Sequence, residues 1–146
     1  MEGLTIRPLA AADAESVERI TRLSPEAADW PAESYTGLPA WAAESEGRVI
    51  GLLVARIAAD EMEILNLAVE PASRRRGAGT ALLDAALEYG RRAGASRVFL
   101  EVRESNLVAQ RFYERHGFAA SGRRLRYYRQ PEEDALLMTR EVAPAR

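Results

Sequence analysis

Residues 61–94, EMEILNLAVEPASRRRGAGTALLDAALEYGRRAG, pass without interruption from an apolar strand pattern through a proline and a glycine-rich arginine turn into a helical pattern. The strand expected over 61–69 ends at Pro71, and the helix expected over 80–94 carries Leu83, Leu87 and Gly90 along one face before Gly94 stops it. A strand that feeds a helix this way sets the helix's unpaired N-terminal amides at the end of a sheet. Their partial positive charge suits an anion, and glycine lets a bulky one approach the backbone. The turn is not a P-loop, because GK[ST] is missing, nor GxGxxG, because Leu82 stands where the third glycine would be. Alone, Gly-Ala-Gly reads first as a solvated turn with two flexible glycines.

The flanking segments extend the pattern. LTIRPL (4–9) is a short strand, and 11–23 has helical spacing at Val17 and Ile20, with Asp13 a candidate cap. Residues 24–40, with three prolines, Trp30 and Tyr35, suggest a loop with a short helix. WAAES, VIGLLVARI and EMEILNLAV are three successive strands, the first two joined by a glycine turn, which implies an antiparallel meander. After the helix at 80–94 come a strand (96–102), a helix (105–118) with Ser105 or Asn106 as N-cap and Gly117 beyond its end, a further strand running into an aromatic loop, and a strand at 134–142. The order βα(α)βββαβαββ predicts an α/β (α+β) chain: one mixed sheet with helices on its faces, in a single domain over 1–146.

Composition closes off several function classes. All 20 basic residues are arginine, so no lysine can form a Schiff base or serve a P-loop. There is no cysteine and one histidine, His116, which removes disulfides and thiolate nucleophiles and leaves no metal site expected. A net charge of -2 argues against a nucleic-acid coat, so the run at 74–76 is a local feature. No signal peptide or membrane span is read, and the expected location is the cytoplasm.

ILNLAVEPASRRRGAGTALLDAAL and VFLEVRESNLVAQRFYERHGF together resemble the GCN5-related N-acetyltransferase (GNAT) superfamily. Its cofactor loop, Q/R-x-x-G-x-G/A, is matched by Arg74, Gly77 and Gly79. With LEVRESN and YYRQPEEDALLM, the blocks from 61 to 140 are similar to the ribosomal-protein-alanine N-acetyltransferases (RimI type) within it. The resemblance implies the GNAT fold, a mixed, mostly antiparallel sheet whose splayed central strands form an acetyl-CoA cleft. It further implies that backbone groups of Leu67, Ala68 and Val69 hold the acetyl and pantetheine part, and that Arg74, Arg75, Arg76, Gly77, Ala78, Gly79 and Thr80 form the pyrophosphate cradle, with Asn106 a further contact. Glu101 is similar to the family's general base and Tyr113 to its general acid. Trp30, Tyr35, Tyr127 and Tyr128 would border the acceptor groove. Where the family often has glycine after the tyrosines, this chain has RQPEE, which alters the loop that meets the acceptor.

Read from the residues alone, Glu101 is a surface position on a strand, Tyr113 a core aromatic on a helix, Asn106 and His116 helix caps, and the tyrosine pair ordinary loop packing. The resemblance implies an Nα-acetyltransferase that modifies the N-terminal alanine of a small-subunit ribosomal protein. Other protein N-termini, a lysine side chain or a small amine are alternatives within the same fold, and an acyl-CoA-binding regulatory module is the non-enzymatic one. Chemically the α-amine is the easier acceptor. At a pKa of about 7.7–8.0 about a tenth of it is neutral at pH 7, against a few parts in ten thousand for lysine.

Overall fold

A computed structural model describes residues 3–24, 35, 37–74, 77–129 and 131–143. Trp30, Arg75 and Arg76, and the short helix expected within 24–40, lie outside the described residues. Strand β1 (Leu4–Pro8) leads through a 3-10 turn at Ala11–Asp13 into α1 (Ala14–Arg22). Next come β2 (Ala40–Ser45), β3 (Arg48–Ala58) and β4 (Glu61–Val69), then a 3-10 turn at Pro71–Ser73 and α2 (Ala78–Arg92). The chain continues through β5 (Arg97–Arg103), α3 (Leu107–Arg115), β6 (Ala119–Arg129) and β7 (Glu132–Glu141).

The seven strands form one sheet in the order β1-β2-β3-β4-β5-β7-β6. Every pairing is antiparallel except β4 with β5, which α2 joins as a crossover, as a parallel pair requires. The meander is fixed at its first turn by Glu46 and Gly47, both at positive φ (52° and 76°), the conformation that a two-residue hairpin turn demands.

Two hydrophobic cores sandwich the sheet. On one face Leu82, Leu83 and Ala86 of α2 and Tyr113 of α3 pack on Met62 and Ile64 of β4, Val98, Leu100 and Val102 of β5, and Met138 of β7. Fully burying a leucine such as Leu82 or Leu83 contributes about 1.5–3 kcal/mol, so α2 is held chiefly by this face. The other face buries Val17 and Ile20 of α1 and Tyr35 against Ala42, Leu52, Val54 and Ala68. Among the described residues this second core takes nothing from β5, β6 or β7.

Some local expectations shift. The Asp13 carboxylate caps no amide of α1; it accepts from Ala10 N (2.8 Å) and from both terminal nitrogens of Arg7 (2.9 Å each). Asn106, not Ser105, caps α3 by accepting from Ala109 N at 3.1 Å. Helix α2 begins at Ala78, two residues before the expected start. The tyrosines at 127 and 128 belong to strand β6 rather than to a loop, although the strand is irregular there.

Candidate active site

The sheet opens between its two parallel strands. Only Glu61–Glu63 of β4 pair with Arg97–Phe99 of β5, and beyond them the strands share no register partners. Opposite this opening, Val54 and Ala55 of β3 face Asn66 and Ile64, so Leu65 is an extra residue in β4. The bulge turns the strand over. Met62 and Ile64 belong to the first core, whereas Asn66 donates to the hydroxyl of Tyr35 (3.0 Å) and Ala68 joins the second core. Leu67, Ala68 and Val69 remain paired with Leu53, Leu52 and Gly51 on one edge, and among the described residues no strand pairs with their other edge.

The turn after β4 is braced from below. Glu70, 6% exposed, accepts from Arg48 (2.9 Å) and from the Ser73 hydroxyl (2.9 Å), with Arg19 3.7 Å away. Arg74 donates to the Val69 carbonyl at 3.1 Å and to the Ser24 hydroxyl at 3.3 Å, tying the turn to β4 and to the end of α1. Gly77 then takes φ 85° as the N-cap of α2, so the amides of Gly77, Ala78, Gly79 and Thr80 are the four that helix geometry leaves without intrahelical acceptors. A Cβ on Gly79 would meet the Phe112 ring at 3.4 Å and Val69 Cγ2 at 4.0 Å, so this glycine also lets α2 approach α3. The Thr80 hydroxyl lies 3.2 Å from His116 Nε2.

Tyr113 is fixed by the end of its own helix. The Phe118 N–H bonds to the Tyr113 carbonyl (3.0 Å), the Gly117 N–H to that of Glu114 (3.1 Å), and Gly117 is left-handed at φ 87°, the arrangement of a Schellman terminus. The accompanying apolar contact is the edge-on packing of the Tyr113 and Phe118 rings, 5.4 Å between centroids. Burial raises the Tyr113 phenol well above the usual tyrosine range, so it stays protonated at neutral pH.

Glu101 alternates with Leu100 and Val102, which enter the first core, so its carboxylate lies on the opposite face of the sheet from Tyr113. Its side chain is 10% exposed and its Oε1 sits 3.0 Å from Arg124 Nε. The Tyr127 hydroxyl is raised by burial and by its hydrogen bond to Glu101; that of Tyr128 is pushed up to about 12 by burial and then by the negative charge of Glu101. The two rings meet edge-on at 5.1 Å, and the Arg103 guanidinium lies 4.1 Å above Tyr128. Arg126, Tyr128, Arg129 and Glu132 line a depression of about 300 Å³ beside them.

The structure thus gathers Glu101, Tyr127 and Tyr128 on one face and Tyr113 with the α2 N-terminus on the other, and Glu101 lies on β5 beyond the last residue that pairs with β4. Tyr35 is 5% exposed and meets its surroundings within the second core, its hydroxyl reaching Asn66. Asn106 caps α3. Sequence reasoning missed Asn66, although a polar side chain in the otherwise apolar run ILNLAV was a visible signal. It also missed Arg124, one of three arginines in RRLR that no periodicity distinguishes.

Residues 6–118 match the acetyltransferase (GNAT) family, and the chain belongs to that family. It is an N-acetyltransferase of a family that uses acetyl-CoA. It is 37% identical over 95 residues to a putative [ribosomal protein bS18]-alanine N-acetyltransferase of Bacillus subtilis, covering 65% of this chain and 63% of that relative's length. The crystal structure of the ribosomal-protein-S18-alanine N-acetyltransferase of Escherichia coli superposes with a TM-score of 0.85 at 28% identity, over 98% of this chain and 96% of the other. That of Ard1 from Thermoplasma volcanium gives 0.88 at 33% identity, over 97% and 99%. Among the described residues no helix is long and apolar enough to cross a membrane.

Proposed function

We propose that the protein is an Nα-acetyltransferase that transfers the acetyl group of acetyl-CoA directly to a protein N-terminus, with the N-terminal alanine of a small-subunit ribosomal protein as its acceptor. The observation that carries the reading is the opening between β4 and β5, with an anion cradle and a protonated phenol on one face and a carboxylate beside two tyrosines on the other. Likeness to alanine N-acetyltransferases of two bacteria supports the choice of acceptor.

The cradle fits the co-substrate. Successive amides at a helix start form an anion concavity, and left-handed Gly77 keeps its rim free of a side chain. The free edge of β4 offers backbone groups to an amide-bearing pantetheine arm. Acetyl-CoA supplies an activated acyl group, so the chain needs no nucleophile of its own, consistent with its lack of cysteine. Glu101 receives the proton of the acceptor amine on one face, and Tyr113 donates one to the departing thiolate on the other. Tyr127 and Tyr128 order the first residues of the acceptor.

Mass spectrometry of ribosomal proteins from cells with and without this protein tests the reading. An N-terminal acetyl group on an alanine-starting small-subunit protein is expected to disappear with the enzyme. Unchanged acetylation of every ribosomal protein would overturn the choice of acceptor.

A further inference from the structure

We infer that Arg124 is a built-in occupant of the acceptor-amine subsite: in the free enzyme its guanidinium stands where the acceptor's ammonium group must come, and the acceptor binds by taking its place. The inference rests on the reading of Glu101 as the group that receives the acceptor's proton.

Three observations carry it. First, the Arg124 Nε lies 3.0 Å from Glu101 Oε1 in an ion pair, so the carboxylate that an incoming amine must meet already faces a cationic nitrogen. Second, the guanidinium carbon lies 5.6 Å from the centroid of the Tyr127 ring. A carboxylate beside an aromatic face is a corner that holds an alkylammonium as well as a guanidinium. Third, β6 does not need this contact. Arg123 is paired with Glu104 (2.7 Å) and Asp134 (2.9 Å), and the Arg126 N–H bonds to Asp134 (2.9 Å), so the backbone on both sides of Arg124 is secured by other groups.

Register explains the reach. Arg124 and Arg103 both face Ala135 of β7, while Glu101 faces Leu137. Arg124 therefore extends diagonally across β7, over a methyl group, to a strand that is not its neighbour. Among the described residues its only ion pair is with Glu101, and its side chain is 59% exposed against 10% for the carboxylate. The arginine can swing into water while Glu101 stays in place. Chemistry also favours arginine here, since a guanidinium does not deprotonate and so cannot itself be acetylated beside a thioester.

The sharpest test replaces the surrogate with a reactive one. In Arg124→Lys the side-chain amine replaces the guanidinium beside Glu101. The amine nitrogen bonds to the acetyl carbonyl carbon as the carbon–sulfur bond breaks; the amine proton passes to Glu101 and the thiolate takes one from Tyr113. Incubated with acetyl-CoA and no peptide, this variant is expected to acetylate itself at position 124, at a rate constant independent of protein concentration. Because the natural chain has no lysine, peptide mass spectrometry reads the site against a background confined to the N-terminal amine. No acetylation at 124, or acetylation that is second order in protein, overturns the inference.

Arg124→Met supplies the second readout. With an alanine-starting hexapeptide its KM should fall several-fold, and n-propylguanidinium should compete with the peptide in the variant more strongly than in the natural enzyme. An unchanged or higher peptide KM would contradict the inference. Glu101→Gln separates the two levels: full activity in that variant sinks the reading of Glu101 itself, whereas loss of activity there with an unmoved KM in Arg124→Met sinks only the role of Arg124.

Discussion

In the proposed mechanism Glu101 and Tyr113 divide the proton transfers between the two faces of one sheet, and their surroundings suit opposite tasks. The carboxylate is held among Arg124 and the Tyr127 hydroxyl at a partly open surface, while the phenol is buried beside Phe112 and Phe118 and kept protonated by that burial. Glu101→Gln should lower the turnover of an alanine-starting peptide by a factor on the order of 10²–10⁴, as loss of a general base does, with CoA affinity nearly unchanged. Tyr113→Phe keeps the ring packing and should slow turnover similarly without lowering the unfolding temperature. Steady-state rates with CoA titration and thermal melts check both, and full activity in either variant would remove that residue from the mechanism. At this scale the sequence was only half legible. Periodicity placed Glu101 on the strand face opposite Leu100 and Val102, and Tyr113 in a helix, but it could not tell that Glu101 meets an arginine two strands away.

The cradle is a property of the β4–turn–α2 element rather than of any one residue. Its floor is Glu70, whose carboxyl burial would push up but which Arg48, the Ser73 hydroxyl and Arg19 together hold below the ordinary carboxylate range. A carboxyl with a lowered folded-state pKa stabilises the fold above its unfolded-state value, and that contribution is lost as pH falls toward the folded-state value. Glu70→Gln should therefore flatten the acid-side fall of the melting temperature and raise the dissociation constant for CoA by loosening the turn. Melting temperature measured against pH, with CoA binding at pH 7, tests this; an acid limb identical to the natural protein's would contradict it. The element's start, glycine turn and stop were legible because proline and glycine punctuate the backbone. The bulge at Leu65 was not, since burial along β4 alternates without a break even as the strand turns from one core to the other. Alternation records how deep a residue lies, not which face it joins.

Across the whole molecule, the proposed function rests on a sheet that fails to close. The meander β2–β4 and the final hairpin β6–β7 are each paired antiparallel, with local register shifts, and the two halves of the sheet meet only through three register pairs between β4 and β5. The mixed sheet with helices on both faces followed from element order and from the family resemblance. The insertion of β7 between β5 and β6 did not, because hairpin succession says which strands are consecutive, not which end of the hairpin docks on the sheet. In the proposed reading such a partition would admit a coenzyme from one side and an amine from the other, and the amine that is partly neutral at pH 7 would be the preferred acceptor. The most direct test offers the enzyme acetyl-CoA and two peptides of otherwise identical sequence, one with a free N-terminal alanine and no lysine, the other N-terminally blocked with an internal lysine, and follows acetylation of each by mass spectrometry. Faster acetylation of the free alanine peptide is expected, and faster acetylation of the lysine peptide would contradict the assignment of this protein to N-terminal acetylation.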